Sequence, residues 1–280
     1  MKIVKFIKEL EDNLKVFHQK GNSLGLVPTM GALHDGHRYL LKRCKIENNV
    51  SICSIFVNPT QFNDKGDLKN YPRTVESDLK IIEAEKFDFA FVPDEKEMYP
   101  EPDKRVFEFG PLGEVMEGKH RPGHFNGVAQ IVTKLFDIVE PNKAYFGEKD
   151  FQQLAIIKFL VRSMNLSVNI ISCPTVREPD GLARSSRNLL LTAEERKNAP
   201  LIFQTLSKAL EMQKKLNINQ LINWVIEQIN MSPYLKVEYF EIVNDMDLQP
   251  VKDWNEKSNK VGCIAVKTGK VRLIDNIRFG

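Results

Sequence analysis

The sequence predicts an α/β protein in which a doubly wound parallel sheet is followed by a smaller C-terminal α+β domain. Over about the first 170 residues, short apolar runs typical of buried strands alternate with segments whose apolar residues recur at helical spacing. Beyond residue 175, two helical segments precede short apolar runs that are separated by turn residues. We therefore predict two domains, residues 1–175 and residues 176–280.

The first domain is predicted to open with an amphipathic helix and a strand–helix–strand unit. An apolar stripe at helical spacing predicts a helix over residues 5–18. The apolar run 24–27 predicts a buried strand that Pro28 ends, and the run 50–57 predicts a second strand after an intervening helix. Two strands joined in this way are expected to be parallel, with a right-handed crossover.

The rest of this domain continues the alternation of strands and helices. The polar segment 63–70 is predicted to be a loop and a candidate mobile flap. Residues 118–126 form a concentrated cationic loop, for which a solvated turn remains an alternative. The remaining predicted elements are a helix after the N-cap Thr74, a strand at 88–92, a helix at 128–139, a strand at 143–146, a helix ending near 164 and a strand at 166–171.

The second domain is predicted to combine helices with short strands. The pattern Thr192-x-x-Glu195 is a capping box, which predicts the start of a helix that runs towards residue 215. The other predicted elements are a helix at 220–229 and strands at 235–243, 261–267 and 271–274.

Composition restricts the class of protein. Of the 280 residues, 42% are hydrophobic and 28% are charged, which is ordinary for a chain with packed cores. The net charge of +3 is weak evidence for a nucleic-acid partner, and we expect none. The four cysteines lie far apart in apolar runs, as buried free thiols in a reducing compartment would. Because the N-terminal segment has no apolar stretch suited to a signal or membrane span, we expect a cytoplasmic protein without membrane association.

The segment from Met30 to His37 carries the clearest chemical signal. Gly31 permits a sharp turn after the strand, and His34 and His37 follow in the first turn of the next helix. The unpaired N–H groups and the positive dipole end of that helix favour an anion, and imidazoles there can donate hydrogen bonds to nucleotide phosphates. A zinc pair and ordinary surface histidines are the alternatives, although no third or fourth zinc ligand is evident by spacing.

Three further polar segments have side chains suited to small anionic substrates. Gln61 follows a predicted strand and offers an uncharged amide that can hold hydroxyls or a carboxylate. Lys149 lies at a strand–helix junction and is suited to neutralise a phosphate. The run from Ser185 to Arg187 offers hydroxyls and a planar guanidinium to phosphate oxygens. Taken singly, such residues are more often solvated, or cap a helix.

Together, these motifs resemble one family over nearly the whole chain. The His-x-Gly-His block alone resembles the signature of a nucleotidyltransferase superfamily, which is related to class I tRNA synthetases and has a Rossmann-like fold. The full set resembles the pantothenate synthetase, or pantoate–β-alanine ligase, family. The motifs that carry this resemblance are Pro28 to His37, Phe56 to Phe62, Tyr71 to Thr74, Arg121 to Phe125, Gly147 to Gln153 and Ser185 to Asn188.

The resemblance implies an ATP-dependent ligase that condenses (R)-pantoate with β-alanine in coenzyme A biosynthesis. Pantoate would attack the α-phosphorus of ATP to give pantoyl adenylate and pyrophosphate. The amine of β-alanine would then attack the acyl carbon, giving pantothenate and AMP. Because an adenylate is labile to water, residues 176–280 are expected to act as a lid domain.

The resemblance also implies roles for particular residues. The catalytic set would be His34, His37, Lys149 and Arg187, with His37 as donor to the reacting phosphate. Pantoate would bind Gln61 and Gln153, and Gln61 would also lie near β-alanine. The ATP site would comprise Met30, Gly31, Ala32, Leu33, His34, Asp35, Gly36, His37, Gly147, Glu148, Lys149, Asp150, the backbone of Val176, Arg184, Ser185, Ser186 and Arg187.

Magnesium and a homodimer are further implications of the resemblance. Mg²⁺ would accompany ATP, since it offsets charge on the pyrophosphate leaving group. Two positions depart from the family pattern. Arg184 stands where an apolar residue such as Met is common, and Asp67 follows Gly66 where an acidic pair is common. We therefore name no protein ligand for the magnesium ion from the sequence.

Two other functions remain as alternatives. A nucleotidyltransferase that leaves AMP on its product would share the His-x-Gly-His block, but Gln61, Gln153 and the additional C-terminal domain argue against it. A nucleotide-sensing or RNA-binding module without catalysis is disfavoured by the dispersed charge and by the lack of a basic helix or aromatic stacking motif.

Overall fold

A six-stranded parallel sheet organises the N-terminal part of the chain in a computed structural model that describes residues 1–280. Its strands are β1 (Lys2–Val4), β2 (Leu24–Thr29), β3 (Val50–Ile55), β4 (Phe89–Phe91), β5 (Lys143–Gly147) and β6 (Asn169–Cys173). Their order across the sheet is β1-β4-β3-β2-β5-β6, and all neighbouring strands are parallel. The predicted doubly wound parallel sheet is confirmed.

Helices cover both faces of this sheet. The helices up to β6 are α1 (Ile7–Gln19), α2 (Asp35–Glu47), α3 (Lys65–Asn70), α4 (Val75–Ala84), α5 (Glu95–Met98), α6 (Met116–His120), α7 (His124–Val139) and α8 (Phe151–Ser163). Leu41 of α2 and Ile82 of α4 pack in one cluster with Ala90 of β4. Its neighbour Phe89 points to the other face, where its ring lies 6.1 Å from that of Phe17 in α1. None of the helices has the length and apolar composition that crossing a bilayer requires.

The C-terminal part of the chain has a separate core between helices and an antiparallel sheet. Its elements are α9 (Ala193–Asn198), α10 (Leu201–Met212), α11 (Ile218–Asn230), β7 (Lys236–Asn244), β8 (Lys260–Thr268) and β9 (Val271–Phe279). The strand order is β7-β8-β9, with both pairs antiparallel. Leu206, Val225 and Ile264 belong to the buried cluster that joins these helices to the sheet. The predicted smaller α+β domain is confirmed.

The chain divides into two compact units whose segments interleave in the sequence. The first unit comprises residues 1–109, 121–148 and 156–173, and the second comprises residues 110–120, 149–155 and 174–280. The single boundary at residue 175 stays a prediction. The second unit also contains two segments that precede this boundary, residues 110–120 and 149–155.

Three local predictions were wrong for identifiable reasons. Pro28 lies within β2 and does not end it. The backbone groups of a strand point alternately to its two neighbours, and the Pro28 nitrogen points to β5. Because the pairing of β2 with β5 stops at Leu26, the missing N–H of Pro28 removes no hydrogen bond between the strands. Segment 63–70 is not wholly a loop, because Asp64 caps the short helix α3. The helix predicted from 192 to 215 breaks in two around Pro200, although its capping box is confirmed.

Candidate active site

The carboxyl ends of three neighbouring strands carry the predicted site residues of the first unit. β2 lies between β3 and β5. After β2 the chain adds β3 and β4 on one side of the sheet, and it then returns to add β5 and β6 on the other side. Open α/β sheets bind ligands at the carboxyl edge, where the strand order reverses in this way. Residues 30–37 follow β2, residues 58–62 follow β3, and Gly147 and Glu148 lie at the end of β5. The fold therefore brings these segments to one edge.

The glycine turn after β2 is held by a buried carboxylate. Gly31 and Ala32 have φ values of 79° and 51°, and a Cβ on Gly31 would lie 2.9 Å from Asp78 Oδ2. Asp78, only 1% exposed, accepts the N–H of Ala32 at 2.9 Å and that of Leu33 at 2.8 Å. The hydroxyl of Thr74 donates to the same carboxylate at 3.1 Å. Asp78 was not among the residues predicted for the site.

The two histidines of the motif cap the N-terminus of α2, which begins with Asp35 and Gly36. His34 is the N-cap residue, and its Nδ1 accepts the N–H of Gly36 at 3.1 Å. His37 Nδ1 accepts the N–H of His34 at 3.3 Å, and the ring centroids lie 4.1 Å apart. Because both Nδ1 atoms accept, each neutral ring carries its hydrogen on Nε2. Both rings can therefore donate from Nε2 to an anion at the positive end of the helix.

Gln61 lies in the first unit with its side chain against Met30. It ends the short 3₁₀ turn Pro59–Gln61 and is 8% exposed. Its Nε2 donates to the Met30 sulfur at 3.1 Å, while its Oε1 accepts from Asn58 Nδ2 at 3.2 Å. Of the predicted residues, Gln61 and Met30 are thus brought into direct contact. Asn58, which is 1% exposed, was not among the residues predicted for the site.

The backbone of Gln61 is fixed by the start of α7. His124 is 6% exposed, its Nδ1 lies 2.8 Å from the Gln61 carbonyl oxygen, and its Nε2 lies 3.1 Å from Arg121 Nη1. Because a guanidinium only donates, Nε2 accepts, and Nδ1 carries the hydrogen that is donated to Gln61. A Cβ at Gly127 would overlap the backbone of the 3₁₀ turn. The solvated-turn alternative for 118–126 therefore fails at His124.

Lys149 and Asp150 belong to the second unit, immediately after Glu148. They lie in the 3₁₀ turn Glu148–Asp150, and Lys149 Nζ is 3.8 Å from Asp150 Oδ2. The Lys149 side chain is 19% exposed, and the side-chain amide of Asn276 donates to its carbonyl oxygen at 3.0 Å. The ammonium group is thus positioned by a turn whose backbone is anchored to β9.

The adjacent glutamines of α8 have opposite environments. Gln152 is 4% exposed; its Oε1 accepts the N–H of Glu117 at 2.9 Å, and its Nε2 donates to the carbonyls of Leu112 and Val115 at 2.8 Å each. Gln152 therefore holds the segment 112–117 in place. Gln153 is only half-buried, so part of its side chain stays accessible to a ligand.

Val176 and Arg184 face each other across a tight hairpin in the second unit. Arg184 N–H donates to the Val176 carbonyl at 2.9 Å, and Glu178 N–H donates to the Leu182 carbonyl at 2.8 Å. The Arg184 guanidinium forms an ion pair with Glu178 at 3.2 Å. The residue that departs from the family pattern therefore has a carboxylate partner in its own hairpin.

The run from Ser185 to Arg187 forms a capped turn. Ser185 Oγ accepts the N–H of Arg187 at 3.3 Å and caps the 3₁₀ turn Ser186–Leu190. Ser186 is 9% exposed, and the side-chain amide of Asn188 donates to the Ala183 carbonyl at 3.1 Å. The capping function considered from the sequence is present for Ser185.

Side chains that could hold a metal ion do not converge at any point of the structure. No group of three or more His, Cys, Asp or Glu side chains is arranged to bind one. The Nδ1 atoms of His34 and His37 are both engaged with backbone N–H groups. The donor set therefore does not fit a resident divalent ion coordinated by protein alone.

Comparison with known proteins identifies relatives over the full length. The family model described as pantoate-beta-alanine ligase matches residues 2–278. A pantothenate synthetase from Bacteroides fragilis (strain YCH46) is 55% identical over 279 residues, covering 100% of this chain and 99% of that protein. The crystal structure of pantothenate synthetase from Thermus thermophilus has a TM-score of 0.93 at 39% identity and covers 100% of both chains.

A third relative was solved with ligands. The pantoate-beta-alanine ligase from Francisella tularensis, complexed with beta-gamma ATP and beta-alanine, has a TM-score of 0.81 at 38% identity. The match covers 99% of this chain and 97% of that chain. All these likenesses extend well beyond the His-x-Gly-His block, which a general nucleotidyltransferase would share. They confirm the resemblance inferred from the motifs, and the chain therefore belongs to the pantoate–β-alanine ligase family.

Proposed function

We propose that this pantoate–β-alanine ligase works through pantoyl adenylate. The pantoate carboxylate attacks the α-phosphorus of ATP and pyrophosphate leaves; the β-alanine amine then attacks the acyl carbon and AMP leaves. The observation that carries this proposal is the double imidazole cap of α2, at the edge where strand order reverses. Negative charge increases on the phosphates during adenylation, so donors that are fixed beforehand lower the barrier.

The proposed ATP ligands act mainly on phosphate charge. His34 and His37 donate from Nε2, with His37 as donor to the reacting phosphate, and Lys149 and Arg187 supply cationic groups. Pyrophosphate is a competent leaving group, so little further acid–base chemistry is needed. The remaining proposed contacts to ATP come from residues 30–33, Asp35, Gly36, Gly147, Glu148, Asp150, the Val176 backbone and residues 184–186.

Gln61 and Gln153 are proposed to bind pantoate. A neutral amide can hold a carboxylate or hydroxyl without adding charge to a site that already contains triphosphate. Gln61 supports this role because its Nε2 lies beside Met30, at the start of the nucleotide motif. We also place β-alanine near Gln61, since its amine must reach the acyl carbon of the adenylate. The Francisella tularensis relative, complexed with beta-alanine, supports a site for this substrate.

Magnesium is proposed to enter as the MgATP substrate. The donor set of the chain does not fit a resident ion, because no three His, Cys, Asp or Glu side chains are arranged to bind one. Phosphate oxygens supply the hard ligands that Mg²⁺ prefers, and the ion keeps several of its waters in such complexes. No protein ligand for the ion is assigned.

We also propose that the protein is a homodimer in the cytoplasm. The dimer follows from the family resemblance. The cytoplasmic location fits the four free and buried cysteines, which would persist as thiols in a reducing compartment.

The products formed from radiolabelled ATP test the proposed function. With pantoate and β-alanine present, we expect AMP and pantothenate in equal amounts, and no pantothenate when β-alanine is omitted. AMP that stays attached to the product would instead indicate a nucleotidyltransferase. Absence of turnover in a folded protein would contradict catalysis.

A further inference from the structure

Three polar side chains in the first unit form a hydrogen-bonded series that runs from Tyr99 through Asn58 to Gln61. The Tyr99 hydroxyl donates to Asn58 Oδ1 at 2.8 Å. Asn58 Nδ2 donates to the Gly127 carbonyl at 3.0 Å and to Gln61 Oε1 at 3.2 Å. Sequence reasoning assigned no function to Tyr99, which follows α5 and lies 41 residues from Asn58.

We propose that Tyr99 is a positioning residue that fixes the Gln61 amide with its N–H side towards pantoate. It acts through Asn58 and does not itself touch substrate. This inference rests on the proposed role of Gln61 as a pantoate ligand.

The direction of the hydrogen bonds in this series is set on both sides of the Asn58 amide. The Gly127 carbonyl can only accept, so it selects the Asn58 N–H side, while the Tyr99 hydroxyl donates to the oxygen side. Burial raises the pKa of the Tyr99 phenol, so its hydroxyl keeps its proton at neutral pH. The one other donor to Asn58 Oδ1 is the hydroxyl of Thr60 at 3.2 Å, an exposed residue that can exchange this bond for water.

Gln61 has one amide orientation compatible with this arrangement. Because Asn58 Nδ2 donates, Gln61 must accept this hydrogen bond with Oε1, which leaves its Nε2 on the opposite side. An N–H group facing the ligand suits the carboxylate of pantoate, whereas a flipped amide would oppose it with an oxygen. Asn58 is 1% exposed, so water cannot easily replace a lost partner.

Tyr99→Phe removes the hydroxyl and keeps the ring, which packs against Phe56 with centroids 6.0 Å apart. Tyr145→Phe is the matched control. The Tyr145 hydroxyl is also buried and hydrogen-bonded, to Asn48 and Glu47, but these precede β3 at the opposite edge of the sheet. Both variants thus lose one hydroxyl with its bonds, and only Tyr99→Phe affects the series that ends at Gln61.

The test compares the KM for pantoate with the KM for ATP and with kcat. We expect Tyr99→Phe to raise the pantoate KM about tenfold, which corresponds to about 1.4 kcal/mol, with the ATP KM and kcat changed less than about twofold on the same scale. Tyr145→Phe should leave all three unchanged. Equal losses for both substrates, or no change in the pantoate KM, would overturn the proposal.

A double-mutant cycle separates this inference from the role of Gln61. The pantoate Kd is measured by calorimetry with a non-hydrolysable ATP analogue, so inactive variants remain informative. Gln61→Ala should weaken pantoate binding, and adding Tyr99→Phe should then have no further effect. Additive effects would overturn the inference alone. An unchanged Kd in Gln61→Ala would contradict the pantoate role of Gln61 and the inference with it.

Discussion

Replacing Asp78 with asparagine tests how the turn that precedes α2 is held. The buried carboxylate accepts the N–H groups of Ala32 and Leu33 and the hydroxyl of Thr74. Asparagine has nearly the same shape, but one of its two terminal groups donates instead of accepting. One of the two backbone N–H groups would therefore face another N–H group.

The expected loss of stability in this turn follows from the bonds that change. A hydrogen bond to a charged group contributes about 1.5–3 kcal/mol, and a buried N–H left without an acceptor costs about 1–3 kcal/mol. Asp78→Asn loses one hydrogen bond to a charged group and leaves one buried backbone N–H without an acceptor. We therefore expect the local free energy of opening to fall by about 3–5 kcal/mol. The released turn would displace His34, so the Kd for ATP should rise as well.

Hydrogen–deuterium exchange of peptides covering residues 30–37 measures this directly. Both tryptophans, Trp224 and Trp254, lie in the second unit, so fluorescence would not report on the turn. We expect protection in Asp78→Asn to fall at least about 100-fold, since each 1.4 kcal/mol is a factor of ten. The control Asp64→Asn makes the same chemical change at an exposed N-cap where asparagine serves equally well. Unchanged exchange at 30–37 would refute the role of Asp78.

Three further substitutions test other parts of the site. Gln153→Glu would set a carboxylate against pantoate, so the pantoate KM should rise strongly while the ATP KM changes little; equal losses would point to an effect through the fold. His37→Ala should slow adenylate formation by about 10²–10³ in single-turnover kinetics, and slow conversion of supplied pantoyl adenylate by less than about tenfold. If both steps slow together in a folded variant, His37 also acts on the acyl group. Gly127→Ala should destabilise the protein by about 1–3 kcal/mol in thermal melts, because its Cβ would meet the backbone of the Pro59–Gln61 turn; an unchanged melting temperature would contradict that close approach.

The parts of the fold that local sequence patterns determine were predictable. Apolar runs and helical spacing located the strands of the parallel sheet except β1, which has only three residues and a mostly exposed pattern. The His34–His37 cap follows from residue types adjacent in sequence, so its position at the start of α2 was predicted as well. Pro28 was misjudged because its cost depends on whether the neighbouring strand still pairs at that residue.

The partners of the site residues could not be read from the sequence, because they come from distant segments. Asp78 lies 46 residues from Ala32, and His124 lies 63 residues from Gln61. A carboxylate in a first helical turn and a histidine in a cationic loop both have ordinary local explanations. Only the fold shows that each is buried against a backbone segment of the site. The residues proposed to bind substrates follow from motif resemblance, and their roles stay predictions.

Pyrophosphate exchange tests the pantoyl adenylate most directly. The enzyme is incubated with MgATP, labelled pyrophosphate and pantoate, without β-alanine, and label that enters ATP is measured. We predict exchange that requires pantoate, is independent of β-alanine, and is lost in His37→Ala. Exchange that occurs only when β-alanine is present would contradict a discrete adenylate and the two-step account built on it.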